Sequence, residues 1–202
     1  MGMRRFQEAV TRGQYEHPNG VFFGGRAPTW NQRTLSTVLD EIPQSIDRIA
    51  WIDLHTGLGP LGVGERIFTG GGADDAQILA RQWWGDITMT EDASAVSSAF
   101  TGQLGSFFSK QLDSRLLSSI TLEFGTCAPL EVLDTLRADA RAHSAYGGGA
   151  QMHATIAKKM KTAFFIDSQD WKQAVLDQPL EAIHAAVDGL ALMDARAPQR
   201  AF

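Results

Sequence analysis

Apolar runs and helical stripes alternate along this chain, separated by stretches rich in glycine. Thr29-x-x-Gln32 has the form of a capping box, and Leu35, Val38, Leu39 and Ile42 follow at helical spacing until Pro43. Ile49, Trp51, Ile52 and Leu54 then predict a buried strand over 48–54. The segment from Gly57 to Gly72 holds seven glycines and reads as a loop over the end of that strand. Asp74 and Asp75 suit the first turn of a helix carrying Ile78, Leu79 and Trp83. Residues 85–105 are small and polar, a loop or short helix placed to line a cleft, and 106–117 predict another helix. Ser119-Ile-Thr-Leu-Glu-Phe124 alternates as a strand, with Ile120, Leu122 and Phe124 on one face and Glu123 on the other. Pro129 occupies a first-helical-residue position ahead of Leu130, Leu133 and Leu136. Glycines break the pattern over 145–151, helix returns over 168–193 with an interruption at Pro179, and the tail after Asp194 frays. Helix followed directly by strand predicts α/β architecture.

Composition narrows the class. At 202 residues, 44% hydrophobic and 20% charged, the chain is the size and make-up of one soluble domain. A net charge of -5 argues against nucleic acid or an anionic membrane surface as partner. No apolar segment is long enough to span a bilayer, and residues 1–10 lack the apolar core of a signal peptide. The single cysteine, Cys127, excludes an intrachain disulfide and favours a cytoplasmic setting. Cys127 reads either as a small buried residue at a strand-to-helix corner or as a thiolate near a helix N-terminus.

The chemistry gathers at the end of the first strand. Side chains alternate along a strand, so Asp53 and His55 point to the same face, with a glycine-rich turn close behind. An imidazole so placed is suited to a ligand or metal, and a carboxylate two residues away is a candidate to orient it from behind. The plainer alternative is a structural histidine satisfied by hydrogen bonds. Gly57, Gly59 and Gly62 also satisfy G-x-G-x-x-G, a nucleotide-binding spacing that works only if a helix opens at the third glycine. Pro60 and the later glycines leave no room for that helix. Glu123 is the second residue of interest: on an edge strand it is solvated, whereas on a central strand it needs a partner or a cleft. Glu181, His184 and Asp188 share one side of the last helix, but seven residues of helix span about 10 Å, too far for one metal ion. His17 precedes a Pro18-Asn19-Gly20 turn, His143 suits a helix C-terminus, and His153 has no evident partner.

Asp53-Leu-His-Thr56 resembles the third-ligand motif of the zinc carboxypeptidase superfamily, in particular its aspartoacylase and succinylglutamate desuccinylase branch. Gly13-Gln-Tyr15, Asn19-Gly-Val-Phe-Phe-Gly-Gly25, Asp53-Leu-His-Thr-Gly-Leu-Gly-Pro60 and Leu122-Glu-Phe-Gly-Thr126 are similar, in order, to an uncharacterised bacterial family of that superfamily. The resemblance implies a three-layer α/β/α fold with a mixed, mostly parallel sheet, and a zinc-dependent amide hydrolase of carboxypeptidase or deacylase type. It implies His55 as a zinc ligand, Glu123 as general base and Asp53 behind His55, acting on a small-molecule or peptide substrate with an amide bond. In such chemistry zinc acidifies a bound water while the glutamate takes its proton. Arg66, which with Glu65 supplies the only charges of the glycine-rich loop, is a candidate to pair with a substrate carboxylate.

One departure limits the resemblance. The superfamily takes its first two zinc ligands from an upstream His-x-x-Glu, and none of His17, His55, His143, His153 or His184 is followed by glutamate at the third position. The upstream Asn-Arg pair that grips a substrate carboxylate is also missing, and only 54 residues precede His55. Residues 1–202 therefore read as the C-terminal portion of a single such domain, with little activity alone. The expected consequences are an exposed sheet edge and a tendency to self-associate. The functional alternatives are a non-catalytic remnant acting as a binding or assembly module, and a nucleotide-binding protein using Gly57, Gly59 and Gly62.

Overall fold

The computed structural model describes Val10 and residues 12–70, 74–89, 104–112, 115–143 and 149–196. Its elements in chain order are α1 (Trp30–Asp40), β1 (Arg48–Leu61), β2 (Gly64–Phe68), α2 (Asp74–Trp84), β3 (Thr88–Met89), α3 (Leu104–Leu112), β4 (Leu116–Gly125), α4 (Pro129–Ala142), α5 (Ala150–Phe164) and α6 (Gln169–Arg196). The four strands form one mixed sheet in the order β1-β4-β2-β3. Two of its three pairings are parallel, β1 with β4 and β2 with β3, while β2 runs antiparallel to β4. Helices cover both faces, which gives the α/β architecture expected from the sequence.

Alternation along the strands sorts the two cores. Ile120, Leu122 and Phe124 of β4 face Phe68 of β2 and the helices α2 and α6, which contribute Ala76, Ala80, Trp84, Trp171, Ala182 and Ala186. Leu117 faces the other way, onto Leu39 of α1 and Phe108 and Leu112 of α3, with Ile49 and Trp51 alongside. β4 is buried along nearly its whole length because it lies between two neighbours and two helical layers. Two tryptophans tie α6 and α2 into this core: Trp171 Nε1 donates to Gly125 O at 3.1 Å, and Trp84 Nε1 donates to Ala182 O at 2.9 Å.

Several local expectations hold for clear reasons. Thr29 caps α1, accepting from the Gln32 backbone N–H at 3.2 Å. Pro129 opens α4, and His143 caps its C-terminal end. Others need correction. The Gly57–Gly72 segment is not one loop: β1 continues to Leu61 and β2 occupies Gly64–Phe68. The end of β1 bulges, since Gly57 and Leu61 both register with Gly125. Backbone approach drives this glycine usage: a Cβ on Gly125 would sit 1.9 Å from Gly59 O. Glycine here builds close-packed strand rather than loop.

α6 also runs unbroken through Pro179, where an interruption was expected. A proline removes one helical hydrogen bond, but Trp171, Ala182 and Ala186 bury the turns on either side and hold the helix together. α3 ends at Leu112, and β4 begins at Leu116, inside the stretch expected to be helical. The short strand β3 and the helix α5 were not expected from the sequence. Of the cleft-lining segment proposed for 85–105, residues 90–103 lie outside the described residues, as do 144–148 and the tail from 197.

Candidate active site

β1 and β4 are parallel and in register, with His55 opposite Glu123 and Asp53 opposite Thr121. In-register residues on adjacent strands project from the same face, so the sheet itself brings the histidine and the glutamate together. His55 Nε2 lies 3.0 Å from Asp53 Oδ2, and His55 Nδ1 lies 3.4 Å from Glu123 Oε2. The imidazole is clasped between two carboxylates. Its own side chain is 51% exposed, whereas that of Glu123 is only 8% exposed. The site is open to solvent at the ring and closed beneath it.

Glu123 is held from two sides. Its Oε1 accepts the backbone N–H of Leu58 at 3.0 Å, so the carboxylate also pins the bulged end of β1. Gly57, at φ 141°, lies under the Phe164 ring, and a Cβ there would meet Phe164 Cε1 at 3.0 Å and Glu123 Oε1 at 3.9 Å. A larger residue at position 57 would intrude between the aromatic ring and the carboxylate. Phe164 thus walls the site next to Glu123, a neighbour the sequence did not reveal because it comes from the unexpected helix α5. Thr126 fastens that wall, its Oγ1 donating to Ala163 O at 2.5 Å with Gly57 O 3.1 Å away.

The electrostatics follow from the clasp. Hydrogen bonding to Asp53, then to Glu123, outweighs partial desolvation and pushes the His55 pKa up from 6.5 to about 10. Near neutral pH the ring is an imidazolium that donates from both nitrogens.

A third carboxylate faces this group across the sheet, since Glu65 of β2 is in register with Glu123. Arg66, the next residue, points to the opposite face, where Nη1 donates to Trp84 O at 2.7 Å and Nη2 lies 3.7 Å from Glu181. It is therefore not a loop arginine placed to meet a substrate beside Glu123. Period-two alternation removes it from the site once residues 64–68 are strand. The nucleotide spacing fails on the same ground: Gly57 and Gly59 belong to β1, Gly62 is a turn, and the next element is β2 rather than a helix. No helix N-terminus is presented to a pyrophosphate there.

The other histidines lie apart from this group. Gly20 N–H closes a turn onto His17 O at 2.8 Å. His143 Nδ1 lies 3.0 Å from Asp139 O, and its ring packs against His153 with centroids 5.1 Å apart. Cys127 is a free, half-buried thiol. Among the described residues, no group of three or more His, Cys, Asp and Glu is arranged to hold a metal ion. Among the same residues no helix is long and apolar enough to cross a membrane.

Residues 1–178 match the model of a family described as "Protein of unknown function (DUF2817)". The chain belongs to that family. The match covers all three residues of the clasp, so the Asp53–His55–Glu123 group lies within the DUF2817 domain. No curated protein and no solved structure matches the chain.

Proposed function

We propose that this domain carries the proton-handling part of an amide hydrolase site of the zinc carboxypeptidase or deacylase type, with Glu123 as the base. The observation that supports it most is the clasp itself: a nearly buried glutamate facing a solvent-accessible histidine at 3.4 Å, on adjacent parallel strands. The resemblance of Asp53-Leu-His-Thr56 and Leu122-Glu-Phe-Gly125 to the superfamily's ligand and base motifs points the same way. In this reading the substrate is a small molecule or peptide with an amide bond, and the setting is cytoplasmic.

Among the described residues no complete zinc site is present. A catalytic zinc takes three protein ligands, and here one imidazole stands between two carboxylates that occupy both of its nitrogens. What the chain's own groups supply is a positioned carboxylate: the protonated His55 presents Nδ1 to Glu123 Oε2 at 3.4 Å and orients the group that accepts the substrate-side proton. Asp53 holds the other nitrogen and fixes the ring plane.

Calorimetric titration with zinc chloride, paired with an assay on N-acylated amino acids, tests this reading. The expected result is weak zinc binding that His55→Ala abolishes, with hydrolysis close to background. Tight stoichiometric zinc, or zinc uptake indifferent to His55→Ala, would contradict it. A second reading, a non-catalytic binding or assembly module, is favoured by the incomplete ligand set and by the apolar surface beside β1. It leaves zinc binding absent in both the parent chain and the His55→Ala variant.

A further inference from the structure

The sheet ends at β1 on one side, and among the described residues no strand pairs with its outer edge. This edge is 14 residues long, and Ala50, Ile52 and Leu54 make one face of its middle apolar, unlike the very short edges by which many proteins avoid pairing with other chains. α6 lies along it in the opposite direction. Gly62, past the end of β1, approaches Ala174 and Trp171, while Arg48 at its start bonds Asp194 at 2.6 Å.

Between them runs an apolar groove of about 410 Å³, lined by Ala50, Ile52 and Leu54 of β1 and by Ile183, Val187 and Leu190 of α6. Leu54, Ile183 and Val187 are 53%, 45% and 59% exposed, well above what a finished core leaves open. Along α6, Leu176, Leu180, Ile183, Val187 and Leu190 recur at steps of four, three, four and three, the spacing of a seam that receives another helix.

Each half of this surface asks for something different. Unpaired strand N–H and C=O groups are satisfied by another extended backbone, and a heptad-spaced seam is satisfied by another helix. The partner must therefore present a strand and an antiparallel helix side by side. This face of the protein presents that combination itself. The geometry points to a second copy of this chain, joined through antiparallel β1–β1 pairing and α6–α6 packing about one two-fold axis.

The register follows from the side chains. Pairing centred on Ile52 sets Ala50 opposite Leu54 of the second copy, small against large, on the groove face. On the other face it sets Trp51 opposite Asp53 of the second copy. The anchors of α6 along β1 put Val187 near the same axis, with Ile183 and Leu190 exchanged across it.

Light scattering coupled to size exclusion tests this on the full chain, with circular dichroism as the control for folding. The expected result is a dimer that Ile183→Glu/Val187→Glu converts to a folded monomer; both residues are exposed in the single chain, so folding survives the change. In a Cys127→Ser background, Val187→Cys should form a disulfide-linked dimer under mild oxidation. A monomer at high micromolar concentration would overturn the inference and leave the edge to a strand from another protein. So would a dimer that persists in the double variant without the Val187→Cys cross-link.

Discussion

His55 is the residue on which the site turns, and its ionisation gives a direct handle on the clasp. The folded pKa of about 10 lies above the usual 6.5, so the ring binds its proton more tightly in the folded chain. The resulting stabilisation is fully present below pH 6.5, declines as pH rises above it, and is lost once pH passes about 10. With half of the side chain exposed, solvent screening keeps the effect modest. Nitrogen-15 NMR of the metal-free chain should show His55 titrating well above 6.5. Asp53→Asn should lower that pKa more than Glu123→Gln, because the Asp53 hydrogen bond is the larger cause. An ordinary histidine titration at position 55 would show that the ring is not clasped in solution. At this scale the sequence was informative: alternation placed Asp53 and His55 on one face, and put Glu123 opposite Ile120, Leu122 and Phe124. That His55 and Glu123 share a site follows from the resemblance, whereas the register that sets them opposite each other was not readable, because it depends on pairing between strands over sixty residues apart.

Among the elements, the bulged end of β1 decides the shape of the site. Gly125 admits Gly59 O where any Cβ would collide, and Glu123 fastens the bulge through Leu58 N–H. Gly125→Ala should therefore destabilise the chain by about 3 kcal/mol or more, beyond the ordinary range for a point substitution. Gly57→Ala should cost about 1–3 kcal/mol through its positive φ and the contact with Phe164. Urea denaturation of both variants measures this, and a Gly125→Ala chain as stable as the parent would refute the packed bulge. These same glycines misled the sequence reading. A run of glycine signals loop when only local conformation is considered, yet here it serves close backbone approach, a property of tertiary packing. Pro179 misled in the same way, since burial of its neighbours overrides its local preference for a break. α5 gave no comparable signal, and with it Phe164 stayed out of view. Its apolar face is thin, with Ala163 the buried residue.

Across the whole molecule, the sheet does two jobs with its two ends. The carboxyl ends of β1 and β4 present the His55–Glu123 pair on one face, while the outer edge of β1 offers the surface for a second copy. Architecture was legible from the alternation of helical and strand patterns. Strand order was not, because β2 and β3 were hidden in glycine-rich and polar stretches. The role proposed for the site rests on one imidazole that a metal would have to take from two carboxylates, in competition with a proton. The most direct test is therefore to follow the His55 ring nitrogens by NMR during a zinc titration near pH 8. The expected result is a selective, weak-binding shift of His55 Nδ1 that is stronger at higher pH and absent from His55→Ala. An unchanged His55 signal at saturating zinc would contradict the assignment of this residue as the metal-facing member of the site.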